Sequence, residues 1–348
     1  MSPSAPRTAA SEAQRVAELA LSETYGDSPD VALQRHRDAL LLLGSNELTP
    51  LHADTLRWEG TVLRDRGRTS DAQRLYDRSL EIARHLHYER GIAHALNCLA
   101  ALATRRGELM IASELFTDAL ALADGCGEQA LVGMIQANLG IIAVMHGDPG
   151  QAIEHYRVAL DVAETLGDEQ QVVRVLVNFA SVLIAQRRYG EADRAIARGL
   201  QLAKARGELY YEGVFEENRA EMCLAQGELE EAEPSILRAF AIAEQRRDDV
   251  RKSAALKLRG AWERLTGRND AAIDSLRYAA TLAAVGEDAL LGGEVLYQFG
   301  LALFDGKNEP LARQAWRTAL DAFERISARE WAERVRERLA TGSTAHYL

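Results

Sequence analysis

Three asparagines stand at intervals of 40 residues in this chain: Asn138, Asn178 and Asn218. Gln298 falls in the same series, and Asn97 lies one residue before its own place in it. A carboxamide carries both donors and an acceptor, so it can bond either side of a main-chain peptide group. Asparagine is an indifferent helix former. Three in register on helical sequence therefore point either to a ligand's backbone or to hydrogen bonds inside the protein. No other grouping reaches that level. His85 and His87 form an HxH pair with no third ligand at metal spacing. Cys98, Cys126 and Cys223 are too few and too scattered for a disulfide framework or a structural zinc. Carboxylate pairs such as Glu230 and Glu231 read as solvated charge. Phosphate loops, nucleophile elbows and zinc-protease signatures do not occur in the sequence. The chain is expected to be no enzyme and to hold no metal and no cofactor.

The asparagine interval belongs to the whole chain. Turn glycines at Gly67, Gly107, Gly147, Gly227 and Gly267 are separated by multiples of 40. Alanine recurs at Ala32, Ala72, Ala112, Ala152, Ala192, Ala232, Ala272 and Ala312. A second column reads Ala20, Gly60, Ala100, Gly140, Ala180, Ala220, Gly260 and Gly300; a third runs from Ala39 through Ser79 and Gly199 to Ala319, always small. Small residues fill roughly a third of a chain this rich in alanine and glycine, so an unbroken run in three columns is no accident. Each unit reads as apolar residues at helical spacing, a glycine turn, then a second amphipathic stretch such as DAQRLYDRSLEIARHL. Small residues let neighbouring helices cross closely. Larger residues between them, Tyr76, Phe116, Tyr156 and Trp316 among them, are expected to fill the core.

This order of features resembles the tetratricopeptide repeat: a small residue, a glycine turn seven on, alanine twelve on, an aromatic sixteen on, alanine nineteen on. The common form repeats about every 34 residues, and the longer period here is similar to the subtype in kinesin light chains, polarity adaptors and bacterial regulators of the maltose-activator and peptide-pheromone type. The resemblance implies an all-α, right-handed α-solenoid of about eight helix-turn-helix repeats of period 40 with a C-terminal capping helix. It covers about 320 of the 348 residues. Units begin near 13, 53, 93, 133, 173, 213, 253 and 293, giving a solenoid over 13–332, with a capping helix at 328–340. A flexible N-terminus at 1–12 and a flexible tail at 341–348 are expected. Two departures stand out: Arg187 replaces a turn glycine, and Lys307 follows a glycine that comes one residue early. Pro234 near the start of a second helix is harmless in the first turn and costs a backbone bond if deeper.

Composition agrees. The chain is 47% hydrophobic but only 6% aromatic, which suits Ala- and Leu-rich helices better than a β-sandwich. A net charge of −11 argues against a whole-chain grip on nucleic acid or anionic membrane. No run of apolar residues is long enough to span a bilayer, and the N-terminus lacks a signal-peptide core. A soluble cytoplasmic protein is expected, compatible with a homo-oligomer. In a right-handed stack the first helix of each unit lines the concave side, so the candidate binding surface can be read by number. The amides Asn97, Asn138, Asn178 and Asn218 lie there, with an apolar centre of Met134, Ile141, Val144, Met145, Val177 and Ile184. Arg57, Thr61, Arg64, His94 and Arg105 lie toward the N-terminal end, and Arg174 lies centrally. Glu217, Glu221, Lys257, Arg264, Glu294, Tyr297 and Phe304 follow toward the C-terminal end. In the resembled subtype, asparagines at this position hold an extended peptide backbone. The expected function is a protein–protein interaction scaffold that binds an extended peptide or a partner's tail. The alternative is a peptide- or ligand-sensing regulator whose solenoid changes shape on binding.

Overall fold

The computed structural model describes residues 9–24, 29–44, 48–286, 288–326 and 328–341. Among these are seventeen α-helices and no strand. Two compact units divide the chain, Met1–Gln171 and Val172–Leu348, and each is described by itself. The first holds α1 (Ala9–Thr24), α2 (Pro29–Leu43), α3 (Pro50–Asp65), α4 (Thr69–His85), α5 (Glu89–Arg105), α6 (Leu109–Gly125), α7 (Gln129–Met145) and α8 (Pro149–Thr165). The boundary falls in α9 (Glu169–Ala185). The second continues through α10 (Tyr189–Arg206), α11 (Leu209–Gln226), α12 (Leu229–Arg246), α13 (Asp249–Leu265), α14 (Asn269–Val285), α15 (Ala289–Asp305), α16 (Glu309–Arg325) and α17 (Arg329–Thr341). Helix begins at Ala9, inside the segment 1–12 expected to be flexible; residues 1–8 and 342–348 of the expected tail lie outside the described residues.

Successive helices pack on one another from α1 to α8 in the first unit and from α10 to α17 in the second, as α3 on α4 and α4 on α5, or α13 on α14 and α14 on α15. The first helices of successive pairs also touch one another: α1, α3, α5 and α7 in the first unit, and α11, α13 and α15 in the second. The first helices therefore form the closer-packed, inner side of each pair row.

The small-residue columns account for this closeness. All eight alanines of the column Ala32 to Ala312 have no exposed surface. The glycines of the second column face large side chains sixteen residues on. A Cβ on Gly60 would lie 2.7 Å from Tyr76 Cε1, on Gly140 2.6 Å from Tyr156 Cε1, on Gly260 2.4 Å from Leu276 Cγ, and on Gly300 2.3 Å from Trp316 Nε1. Gly199, the one glycine of the third column, obeys the same rule against Phe215. Ring and glycine together fill one space.

The turns repeat as well. At Gly67, Gly67 N–H donates to Arg64 O (3.0 Å) and Arg68 N–H to Leu63 O (2.9 Å), the paired bonds of a Schellman cap. Gly67 sits at φ +75°, where a side chain is disfavoured. Arg187 (φ +55°) and Lys307 (φ +62°) make the same turn without glycine, with Arg188 N–H on Leu183 O (2.8 Å) and Asn308 N–H on Leu303 O (2.8 Å). The geometry is imposed by the stack, and glycine only makes it cheaper. Pro234 lies beyond the first turn of α12, and the helix runs through it; its exposed position leaves the bereft carbonyl to water.

The Gly199 contact yields a prediction. Alanine there would set its methyl 2.1 Å from Phe215 Cζ, so Gly199→Ala lowers stability by about 1–3 kcal/mol through overpacking. Gly190→Ala, near the start of α10 with no protein atom closer than 4.0 Å, is neutral or gains up to about 1 kcal/mol from helix propensity. Thermal melts of the two variants should move in opposite directions.

Candidate functional site

In the first unit the inner side is built by α3, α5 and α7. Asn138 on α7 donates its Nδ2 to Asn97 Oδ1 on α5 at 3.3 Å, and Asn97 Nδ2 lies 3.8 Å from Met134 Sδ. In the second unit Asn218 on α11 donates to the main-chain carbonyl of Val177 on α9 at 3.1 Å. Both bonds reach back 41 residues, one helix pair plus one position. One donor of each of these two amides is thus used between neighbouring first helices. Asn138 is half-buried, whereas Asn97 and Asn218 are buried, so the second N–H and remaining lone pairs of Asn138 are the groups of these amides most open to a ligand. Asn178, half-buried, makes no side-chain hydrogen bond to another described residue.

The expected apolar centre is only partly at the surface. Met145 (50% exposed) and Val144 (44%) stand open at the end of α7. Met134, Ile141 and Val177 are half-buried. Ile184 is corrected: at 5% exposure it belongs to the core, in the last turn of α9 beside the reversal at Arg187. Thr61 and Tyr297 are likewise buried, Thr61 Oγ1 against Tyr76 Oη and Tyr297 Oη accepting from Arg338 Nε at 3.2 Å.

Charged positions pair within a helix in α3 and across neighbouring helices elsewhere. Arg64 bonds Asp65 (2.8 Å), while Arg105 and Arg174 are exposed. Arg57 meets Asp54 at 3.2 Å, and Arg90 meets Glu128 at 3.0 Å. In the second unit Arg251 holds Glu217 at 3.0 Å, Arg264 holds Asp305 at 3.1 Å, and Lys257 Nζ contacts Glu294 Oε2. Burial works against the Lys257 charge, but Glu294 and Glu221 outweigh it and its pKa is raised. The side chain of Glu221 is open to solvent, yet desolvation within this recess raises its carboxyl pKa.

Helix α11 also carries two carboxylates that sequence reasoning did not single out. Glu212 and Glu216 are each 5% exposed. Glu212 takes both Arg238 Nε (2.9 Å) and Nη2 (2.7 Å), and Glu216 accepts from Ser235 Oγ at 2.9 Å. Their signal was a run of acids, EENRAE, on the first helix of a pair. Glu230 and Glu231, by contrast, are exposed. Among the described residues no three His, Cys, Asp or Glu side chains converge as metal ligands, and no helix is long and apolar enough to cross a membrane.

Comparison with known proteins adds the family. The model of the tetratricopeptide repeat matches residues 91–165, which span α5 to α8. Residues 91–165 carry tetratricopeptide repeats. No curated protein matches the chain. Among solved structures its repeats are similar to the apo form of the quorum sensor NprR from B. thuringiensis (TM-score 0.71, 14% identity, 92% of this chain and 89% of that one). They are similar also to a Rap protein complexed with competence and sporulation factor (TM-score 0.67, 14% identity, 95% and 97%). The apo form of RapI is a third (TM-score 0.58, 17% identity, 91% and 99%). At these identities the likeness is one of fold, and it covers most of the chain.

Glu217, on α11, is a buried acid whose titration can be tested. Burial pushes its carboxyl up to about 7, against the pull of Arg251 and Lys257. Between its ordinary value of 4.5 and about 7 the folded state keeps a proton that the unfolded chain has lost. Stability therefore falls as pH rises through that window. Glu217→Gln removes the titration while preserving an acceptor for Arg251. Its stability relative to the parent should climb by roughly 1–3 kcal/mol from pH 4.5 to pH 8. A difference between the two melts that stays flat over this range would exclude Glu217 as the titrating group.

Proposed function

We propose that this chain is a non-enzymatic interaction module acting in the cytoplasm, which binds an extended peptide or a partner's tail along the inner sides of its first helices. The same reading divides residues 13–332 into eight units of 40, closed by a capping helix at 328–340. One observation carries the functional reading. Within each unit first helices pack side by side, and they carry a recurring carboxamide, Asn97 and Asn138 in the first unit and Asn178 and Asn218 in the second, with Val144 and Met145 exposed on α7. Amides bond main chain without regard to side chain, and exposed apolar groups anchor side chains. Ile141 and Val177 supply partly covered apolar surface, and Arg64, Arg105 and Arg174 supply charge that sets the partner's register.

The test is a peptide selected from a displayed random library against the full chain. Asn178→Ala, which breaks no bond to a described residue, weakens that peptide's affinity by about five- to tenfold, the worth of one hydrogen bond, with an unchanged melt. Adding Asn138→Ala and Asn218→Ala weakens binding further and costs stability too, about 1 kcal/mol for each bond lost between helices. Undiminished affinity in the triple variant would refute the reading.

A second reading is favoured by the similar structures, which include a quorum sensor and a Rap protein complexed with a factor. Here the bound peptide is a signal, and binding changes the shape of the repeat array to control a partner. This version predicts a ligand-dependent change in radius of gyration by small-angle scattering. An identical curve at saturating peptide leaves the scaffold reading alone.

A further inference from the structure

The outer face of an end layer in a repeat stack stays in water unless it is polar or covered. α17 in the second unit is of the polar kind. Its Trp331 ring stacks on Phe323 at 5.3 Å and meets Tyr297 edge-on at 5.7 Å, while Glu330, Glu333 and Arg336 are exposed. The pair α1 and α2, packed on each other and on α3, is built differently. α2 turns Ala32, His36 and Ala39 into the crossings, all without exposed surface. A second stripe runs along the same helix at Val31, Arg35, Asp38 and Leu42, whose spacings of four, three and four keep one face. Val31 and Leu42 are exposed, as are Leu19 on α1 and, most of all, Leu41 at 79%. A cleft of about 590 Å³ lies between the two helices, lined from α1 and α2 alone, with Leu19, Arg35, Asp38 and Leu42 in its wall. Across it Arg15 Nε donates to Glu12 at 3.2 Å, and Asp38 accepts from the neutral Gln34 Nε2 at 2.9 Å.

The order of the stripe is its own complement. About a two-fold axis midway between Arg35 and Asp38, an antiparallel copy sets Val31 opposite Leu42 and Arg35 opposite Asp38, each pairing made twice. We propose that the outer face of α1 and α2 binds a second copy of this chain, α2 against α2 in antiparallel, with these four residues in register and Leu19 and Leu41 closing over the sides. The stripe from Val31 to Leu42 spans three turns, about 16 Å of helix. Covering the leucines removes apolar surface from water, and the charges fix the register. A slip toward the start of α2 sets the two Arg35 side chains together, and a slip toward its end the two Asp38 side chains. A partner of a single charge sign suits the stripe less well, because the stripe carries one charge of each sign. The pairing is independent of the peptide-binding reading, whose amides lie on α5, α7, α9 and α11.

Sedimentation velocity of the full chain reads the outcome. Between about 1 and 100 µM the parent should pass from monomer to dimer, with Kd near or below about 10 µM. Asp38→Arg places basic side chains at both positions of the charge pair, and Arg35→Asp places acids there. Each variant alone should weaken the dimer at least about tenfold. Mixed in equal amounts, the two regain opposite charges at every pairing, so a heterodimer should form about as tightly as the parent dimer. The double variant, Arg35→Asp with Asp38→Arg, should dimerise by itself. Unchanged melts show that the variants are folded. If a single variant is not, the double variant and Leu41→Asp carry the test, the first expected to be a dimer and the second a monomer. A parent that remains monomeric at about 100 µM overturns the proposal. So does a dimer that the folded charge variants leave intact, which places the interface on another face. Two folded single variants that stay monomeric when mixed also overturn it, by excluding the antiparallel register.

Discussion

The rest of the structure depends on how closely one helix can cross the next. A methyl group is the most the crossing at Ala72, Ala112 or Ala232 accepts, since these residues have no exposed surface at all. At Gly60, Gly140, Gly260 and Gly300 even a methyl is too much, because Tyr76, Tyr156, Leu276 and Trp316 occupy its place. Close, nearly constant crossings bring successive first helices within side-chain reach of one another. The polar bridges with a reach of 41 residues follow from that: Asn138 to Asn97, Asn218 to Val177, Arg264 to Asp305 and Arg338 to Tyr297. A bulkier residue in a column would part the helices and break the bridges with them.

The same closeness decides the electrostatics. Charges on the first helices lie among neighbouring side chains, so desolvation is the leading influence on His94, Glu217, Glu221 and Lys257. It wins outright at His94, which stays neutral, and it keeps Glu217 near neutrality despite two cations. At Lys257 it loses, because Glu294 and Glu221 lie near enough to outweigh it. Residues of one type thus behave differently on the two sides of a helix pair: Glu230 and Glu231 are exposed on α12, while Glu216 and Glu217 are buried on α11.

Much of this was legible in the sequence, and the legible part shares one property. The alanine columns, the turn glycines and the aromatic sixteen residues on are set by backbone spacing, which repeats, so a period exposes them. What a period cannot show is the rotation of one side chain. Ile184 and Tyr297 fall on inner-side positions by number and are buried in fact. Asn97 looked out of register, yet its offset by one residue is what meets Asn138. Arg187 and Lys307 looked like broken turns, but the left-handed geometry is kept by the paired helices around it. A cleft lined by residues of α1, α3 and α5 was half visible: Arg57 stood out by position, but Gln14, Trp58 and Arg90 join it only through tertiary packing. Chain length and period could not reveal the division at Gln171, since the repeat runs through it unchanged.

Where the fold leaves hydrogen-bonding groups unsatisfied is itself informative. Among the described residues, buried side-chain atoms without a partner include Thr55 Oγ1, Arg57 Nε, Glu217 Oε1, Arg264 Nε and Gln298 Oε1. All five lie on first helices: α3, α11, α13 and α15. Packing alone disfavours this, because a buried donor or acceptor without a partner costs about 1–3 kcal/mol. Asn269 Oδ1, on the second helix α14, and Glu208 Oε2, just before α11, are further atoms of this kind, so the deficit gathers on the inner sides, where neighbouring first helices crowd out solvent, without being confined to them. An extended peptide carries a donor and an acceptor at nearly every residue. It is the kind of ligand whose own groups would complete what these helices leave open.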